Sequence, residues 1–131
     1  MNFSIKKNST LPILKYPLSQ HIREKYDIAD NMFENIAVTF SMVDAETGRY
    51  VIANTAGNLN INENTNVNIG DDKYELTFKF KESHTSKSGR YYAEFVIDFL
   101  SPEAGCGKLK LPIDGAINVM INDSNTKTTV I

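Results

Sequence analysis

The sequence predicts an all-β, antiparallel β-sandwich, and three observations carry that prediction. The dominant hydrophobic period is two rather than 3.6. The segments that show it are short and rich in aromatic and β-branched residues. Between them lie polar stretches holding Gly, Pro, Asn and Asp at the spacing of turns. With 131 residues, 41% hydrophobic and 23% charged, the chain is long enough to bury one core without disulfide staples. A single sandwich domain over 1–131 is therefore expected, from which an N-terminal segment and a C-terminal tail could extend.

The elements follow in chain order. "STLPILKYPL" (9–18) reads as an edge strand, because Pro12 cannot donate to a ladder, and Pro17 should end it. "SQHIREKYDIADNMFEN" (19–35) could hold one short helix near residues 19–30, or an irregular loop. Ser19 would be the helix N-cap, with Ile22 and Tyr26 at i, i+4. "NIAVTFSMVD" (35–44) points Ile36, Val38, Phe40 and Met42 to one side. "DAETGR" (44–49) then makes a tight connection in which Gly48 can take a positive φ.

"GNLNINENTNVNIG" (57–70) places Asn at every even position from 58 to 68, with Leu59, Ile61, Val67 and Ile69 among the odd ones. Extended, it would carry amides on one face and mostly apolar residues on the other. Three uses fit that pattern: a solvated strand face, an arm packing against a neighbouring subunit, or a ligand-gripping ladder. A solvated face with partial subunit contact is the favoured reading. Amides along an edge also discourage indiscriminate apolar pairing.

The remaining strands alternate cleanly. "YELTFKF" (74–80) sets Tyr74, Leu76, Phe78 and Phe80 against Glu75, Thr77 and Lys79. After the polar loop "HTSKSG" (84–89), "RYYAEFVIDF" (90–99) sets Tyr91, Ala93, Phe95, Ile97 and Phe99 against Tyr92, Glu94, Val96 and Asp98. "SPEAGCG" (101–107) is a turn. "KLKLPI" and "AINVMIN" follow, with Leu109, Leu111 and Ile113, then Ile117, Val119 and Ile121, on the inner side. The terminal "NDSNTKTTVI" could be a turn and last strand, or a tail that orders against a partner.

Composition removes several function classes. A net charge of −2 with both signs interspersed leaves no electrostatic footprint for nucleic acid or an anionic membrane. No apolar run approaches the roughly 20 residues that cross a bilayer, and "MNFSIKKNST" has no secretory h-region. Cys106 stands alone, which excludes an internal disulfide and a cysteine-rich zinc site.

Catalytic chemistry finds little support. His21 and His84 are the sole imidazoles, and no spacing brings either to Cys106, so they read as surface histidines and a loop thiol. Asp44 with Glu46, Asp71-Asp72 and "NDSN" are ordinary turn chemistry rather than calcium loops. No catalytic, cofactor-binding or metal residues are therefore expected. Contact surfaces remain. Outward Tyr92, Val96 and Met120 would mark a protein contact if they cluster on one sheet.

Tyr91, just inside its strand after the "SKSG" loop, resembles the tyrosine corner of immunoglobulin-like sandwiches, in which a phenol bonds back across the preceding corner. From Phe78 onward "FKFKESHTSKSGRYYAEFVIDF" and "GKLKLPIDGAINVMI" resemble the immunoglobulin-like N-terminal module of phage baseplate upper proteins. The matching positions are Phe80, Thr85, Gly89, Tyr91, Phe95, Gly107, Leu111, Pro112, Ile117, Val119 and Ile121. Upstream, "NIAVTFSMVDAETGRYVI" and "STLPILKYPL" resemble that module's strand with acidic turn and its opening strand. The Asn-rich stretch is longer than the family's usual connection, and the family's module usually begins a longer chain.

The resemblance implies an immunoglobulin-like sandwich and a non-enzymatic virion role in a bacteriophage: a tail, baseplate or neck adaptor, or a head decoration. The chain would be made in the host cytoplasm and reside in the virion. Its partners would be other virion proteins and copies of itself, without nucleic acid, membrane or cofactor. Contacts are expected in the Asn-rich stretch, the N-terminal strand with its following segment, and the C-terminal tail. The named contact residues are Leu59, Ile61, Val67, Ile69, Tyr92 and Met120, and the structural ones are Gly89, Tyr91 and Pro112. The alternative is a carbohydrate or host-surface binding module, with Tyr50, Tyr91 or Tyr92 lining a groove.

Overall fold

The computed structural model describes residues 1–28, 30–61, 73–100 and 107–123. Among the described residues nine strands form two sheets: β1 (Asn2–Lys6), β2 (Leu14–Pro17), β3 (Ile36–Asp44), β4 (Tyr50–Ala56), β5 (Asn58–Ile61), β6 (Tyr74–Phe78), β7 (Gly89–Phe99), β8 (Lys108–Leu111) and β9 (Ile117–Asn122). The larger sheet runs β1-β9-β7-β3-β4, with β8 also on β7, and the smaller runs β2-β6-β5. This is the expected all-β sandwich.

β7 organises the larger sheet because it is the longest alternating run. Its eleven residues pair β3 along one edge, from Ile36↔Phe99 to Asp44↔Tyr91. The other edge is shared: β9 takes Gly89 to Ala93 and β8 takes Phe95 to Asp98. These pairs are antiparallel. The exception is β1, which runs parallel to β9 in the register Phe3↔Val119 and Ile5↔Ile121. The sandwich is thus antiparallel apart from a single parallel edge pair among the described residues.

The two layers meet through aromatic rings. Phe40 of β3 stacks on Phe78 of β6 with centroids 4.2 Å apart, and meets Phe80 and Phe95 edge-on at 5.8 and 5.0 Å. Tyr16 of β2 leans on Phe95 at 6.3 Å. Phe33, from the 3₁₀ turn Asp30–Glu34, closes one end by stacking on Tyr74 at 4.4 Å. The inner residues of β6, β7 and β9 are buried as their period dictates. Two assignments differ. Thr77 is buried, being in the middle strand between Lys15 and Asn58. Ile113 is exposed, because β8 ends at Leu111, two residues before it.

The segment before β3 contains the short helix α1 (Gln20–Lys25), and the Ser19 hydroxyl accepts a hydrogen bond from the Ile22 N–H at 3.2 Å. That caps one of the orphan donors of the first turn. β2 lies at an edge among the described residues and ends at Pro17, as expected, but it begins at Leu14, so Pro12 precedes it and does not dictate the edge position. Gly48 takes a φ of +72° in the turn before β4.

Candidate functional site: the outer face of the larger sheet

The two outer faces differ in chemistry. On the smaller sheet the outward side chains are Lys15, Pro17, Glu75, Asn58 and Asn60, all exposed or half-exposed. The Asn-rich stretch thus begins as the edge strand β5, with Asn58 and Asn60 toward water and Leu59 packed against the core. Ile61, at the strand's end opposite Tyr74, is 47% exposed. Val67 and Ile69 lie outside the described residues, as do the C-terminal tail from 124, Cys106 and Asp71-Asp72.

The larger sheet's outer face is less polar. The registers Val43↔Tyr50, Val43↔Tyr92 and Tyr92↔Asn118 align one row across four strands: Tyr50, Val43, Tyr92 and Asn118. Asn2 of β1 extends it, and the Asn118 amide donates to the Asn2 side-chain oxygen at 3.2 Å. Tyr50 is 66% exposed, Tyr92 42% and Met120 37%. Along β7, Arg90 and Glu94 flank Tyr92 on the same face, and Met120 lies opposite Arg90.

Two shallow hollows border the Tyr92 ring. One, of about 470 Å³, is lined by Asn2, Ser4, Arg90, Tyr92, Asn118 and Met120 among others. The second, of about 200 Å³, lies on the Glu94 side between Ser41, Val43, Tyr50 and Ala116. Beside it, β4 carries extra residues where its register with β3 shifts. Asn54 takes a φ of +47° there, and the buried Ser41 hydroxyl accepts its N–H at 2.9 Å. Such bulges disrupt the free edge of a sheet and discourage open-ended strand pairing.

Of the expected structural residues, Gly89 and Tyr91 sit at the end of β7 that holds this row, and Pro112 follows β8, whose Leu111 pairs with Phe95. The buried Tyr91 points inward, and its hydroxyl donates to the Lys87 carbonyl at 2.6 Å, back across the loop. Burial, then the Asp44 carboxylate, raises its pKa, so the phenol keeps the proton it donates. Tyr91 borders the larger hollow with a side chain that is buried, whereas Tyr50 and Tyr92 are the exposed ones of the three named tyrosines. Gly89 opens β7 with a φ of +148°, where a side chain is strongly disfavoured.

The acidic and imidazole groups do not converge. Asp44 accepts from the Glu46 and Thr47 N–H groups at 2.8 and 3.2 Å, and those bonds lower its pKa. His21 is exposed. His84 is half-buried at the surface: its Nδ1 accepts the Lys81 N–H at 3.0 Å and its ring lies 5.8 Å from Phe78. Among the described residues no three His, Cys, Asp or Glu side chains gather as a metal site would require. No helix there is long and apolar enough to cross a membrane. Compared with protein-family models, curated proteins and solved structures, the chain matches none.

Proposed function

We infer that this chain is a non-enzymatic assembly module, a structural protein of a bacteriophage virion, and that it works through the outer face of its larger sheet. One observation carries the reading. Tyr50, Tyr92 and Met120 are exposed together on one face, where a solvated sheet would place polar residues as the opposite face does. Clustered exposure of this kind marks protein contacts. The residues shared with the baseplate-type module and the Tyr91-to-Lys87 bond support the virion assignment and the immunoglobulin-like character of the sandwich. Of the expected contact residues, Tyr92 and Met120 lie on this face, and Tyr50 of β4 joins them.

Hydrogen exchange tests this on the chain within purified phage particles and on the free chain. Assembly should protect amides of β4, β7 and β9 beyond their level in the free chain. Absence of the chain from particles, or equal exchange in both states, overturns the reading. A second reading, a glycan-binding face, is favoured by the two tyrosines in one row with the Asn2–Asn118 amide pair. Retention of a defined glycan that is lost in a Tyr50→Ser, Tyr92→Ser double variant would select it.

A further inference from the structure

We propose that the outer face of the larger sheet pairs with a second copy of this chain, in a two-fold dimer centred on Tyr92. The proposal rests on the assembly reading above for the identity of the surface, and adds the partner. Arg90, Tyr92 and Glu94 are consecutive outward residues of β7. Neither Arg90 nor Glu94 has a salt-bridge partner among the described residues. The two charges stand roughly 13 Å apart along the strand with Tyr92 midway.

A two-fold axis lying along the row Tyr50, Val43, Tyr92, Asn118 runs the two β7 strands antiparallel, face to face. Each Arg90 then lies over the other copy's Glu94, and Tyr92 meets Tyr92. The same operation sets Met120, which neighbours Arg90 on β9, over Ala116, which borders the hollow beside Glu94. A large side chain meets a small one, twice. Two-fold interfaces need this self-complementarity, in which residue i contacts j and j contacts i. An axis along the strands instead would set Arg90 on Arg90 and is disfavoured by like charge.

The size suits a weak dimer. Five strands about 4.8 Å apart span roughly 20 Å, and the axis at Tyr92, near one end of β7, matches about three residues on either side, roughly 20 Å along the strands. That is about half of the ~800 Å² per partner of a standard interface. Aligned packing of two sheets keeps strands within about 30°, which leaves the charge pairs in reach.

The test is sedimentation equilibrium of the full chain over a wide concentration series, with circular dichroism verifying that each variant is folded. The wild type should show a monomer–dimer equilibrium that weakens with salt. Arg90→Glu and Glu94→Arg should each weaken it about tenfold or more. The double reversal should restore it, since the opposed charges merely exchange places. A wild type that stays monomeric, a dimer indifferent to either reversal, or a double variant that fails to recover overturns the proposal. Binding of a glycan at Tyr92 by a strictly monomeric chain also overturns it. Protection of β7 in particles without self-association would leave the assembly reading standing and make the partner a different protein. A self-associating chain absent from particles would do the reverse.

Discussion

His84 and Thr85 show how neighbouring residues in one polar loop meet different fates. Both lie in the 3₁₀ turn Glu82–Thr85. Thr85 is fully buried, donates its hydroxyl to the Ser9 carbonyl at 2.9 Å, and accepts the Asn8 N–H on its own carbonyl at 2.9 Å. It thereby ties the chain after β1 to the turn before β7. His84 is half-buried, and burial followed by the Lys81 charge lowers its pKa below 6.5. Protonation would also place a hydrogen on the Nδ1 that accepts the Lys81 N–H. A base with a lowered folded pKa binds protons more readily when unfolded. Its contribution to stability is complete above 6.5 and is lost as pH falls through the folded value. Asp44, with its carboxyl held below 3.8, titrates outside that window. Urea midpoints should therefore decline on the acid side of 6.5, and His84→Gln should flatten the decline. An NMR titration giving His84 a pKa above 6.5 would contradict the account.

The crossover between layers depends on a single residue. β4 ends at Ala56 in the larger sheet and β5 begins at Asn58 in the smaller, so the chain changes sheets at Gly57. Its N–H donates to the Val38 carbonyl at 3.0 Å. A Cβ there would lie 3.1 Å from the Thr77 carbonyl oxygen, 3.3 Å from a Val38 methyl and 3.5 Å from the Phe95 ring. Backbone and core must both shift, so Gly57→Ala should cost about 1–3 kcal/mol. Gly107, with open space around its Cβ position, is the control and should tolerate alanine within about 0.5 kcal/mol. Equal urea midpoints for the two variants would refute the crossover argument.

Legibility in the sequence varied by element for related reasons. β3, β6, β7 and β9 were legible because burial follows the alternation almost residue by residue. β1 offers Phe3 and Ile5 alone in five residues, and its partner β9 lies far along the chain. β4 escapes because its register shifts interrupt the period of two. Tyr92 and Met120 could be placed outward from periodicity. Their shared face with Tyr50 could not, because only the register through Val43 reveals it.

The whole molecule is one aromatic-centred core between two unequal sheets. Phe40 is fully buried and touches rings from both layers, so neither layer is complete without it. Phe40→Ala should cost about 3–5 kcal/mol, a large share of the ~5–15 kcal/mol that stabilises a domain. Unfolding followed by tyrosine fluorescence and by circular dichroism should remain coincident, since both sheets lose the same contact. Separate transitions would mean that the layers hold independently. At this scale the exterior is also informative: both sheets face water with amides and charges, and the larger adds exposed tyrosines and a methionine.

The parallel pairing of β1 with β9 has a consequence for biosynthesis. β1 leaves the ribosome first, but Phe3 and Ile5 have no ladder until residues 119 and 121 follow. Throughout translation this ribbon must wait unpaired beside a nascent sheet, a condition that favours capture by chaperones or mispairing with a neighbouring nascent chain. Closure of that edge is thus a late event, and Met1 through Lys7, bonded to Asn118 and Asn122, act as the final stitch.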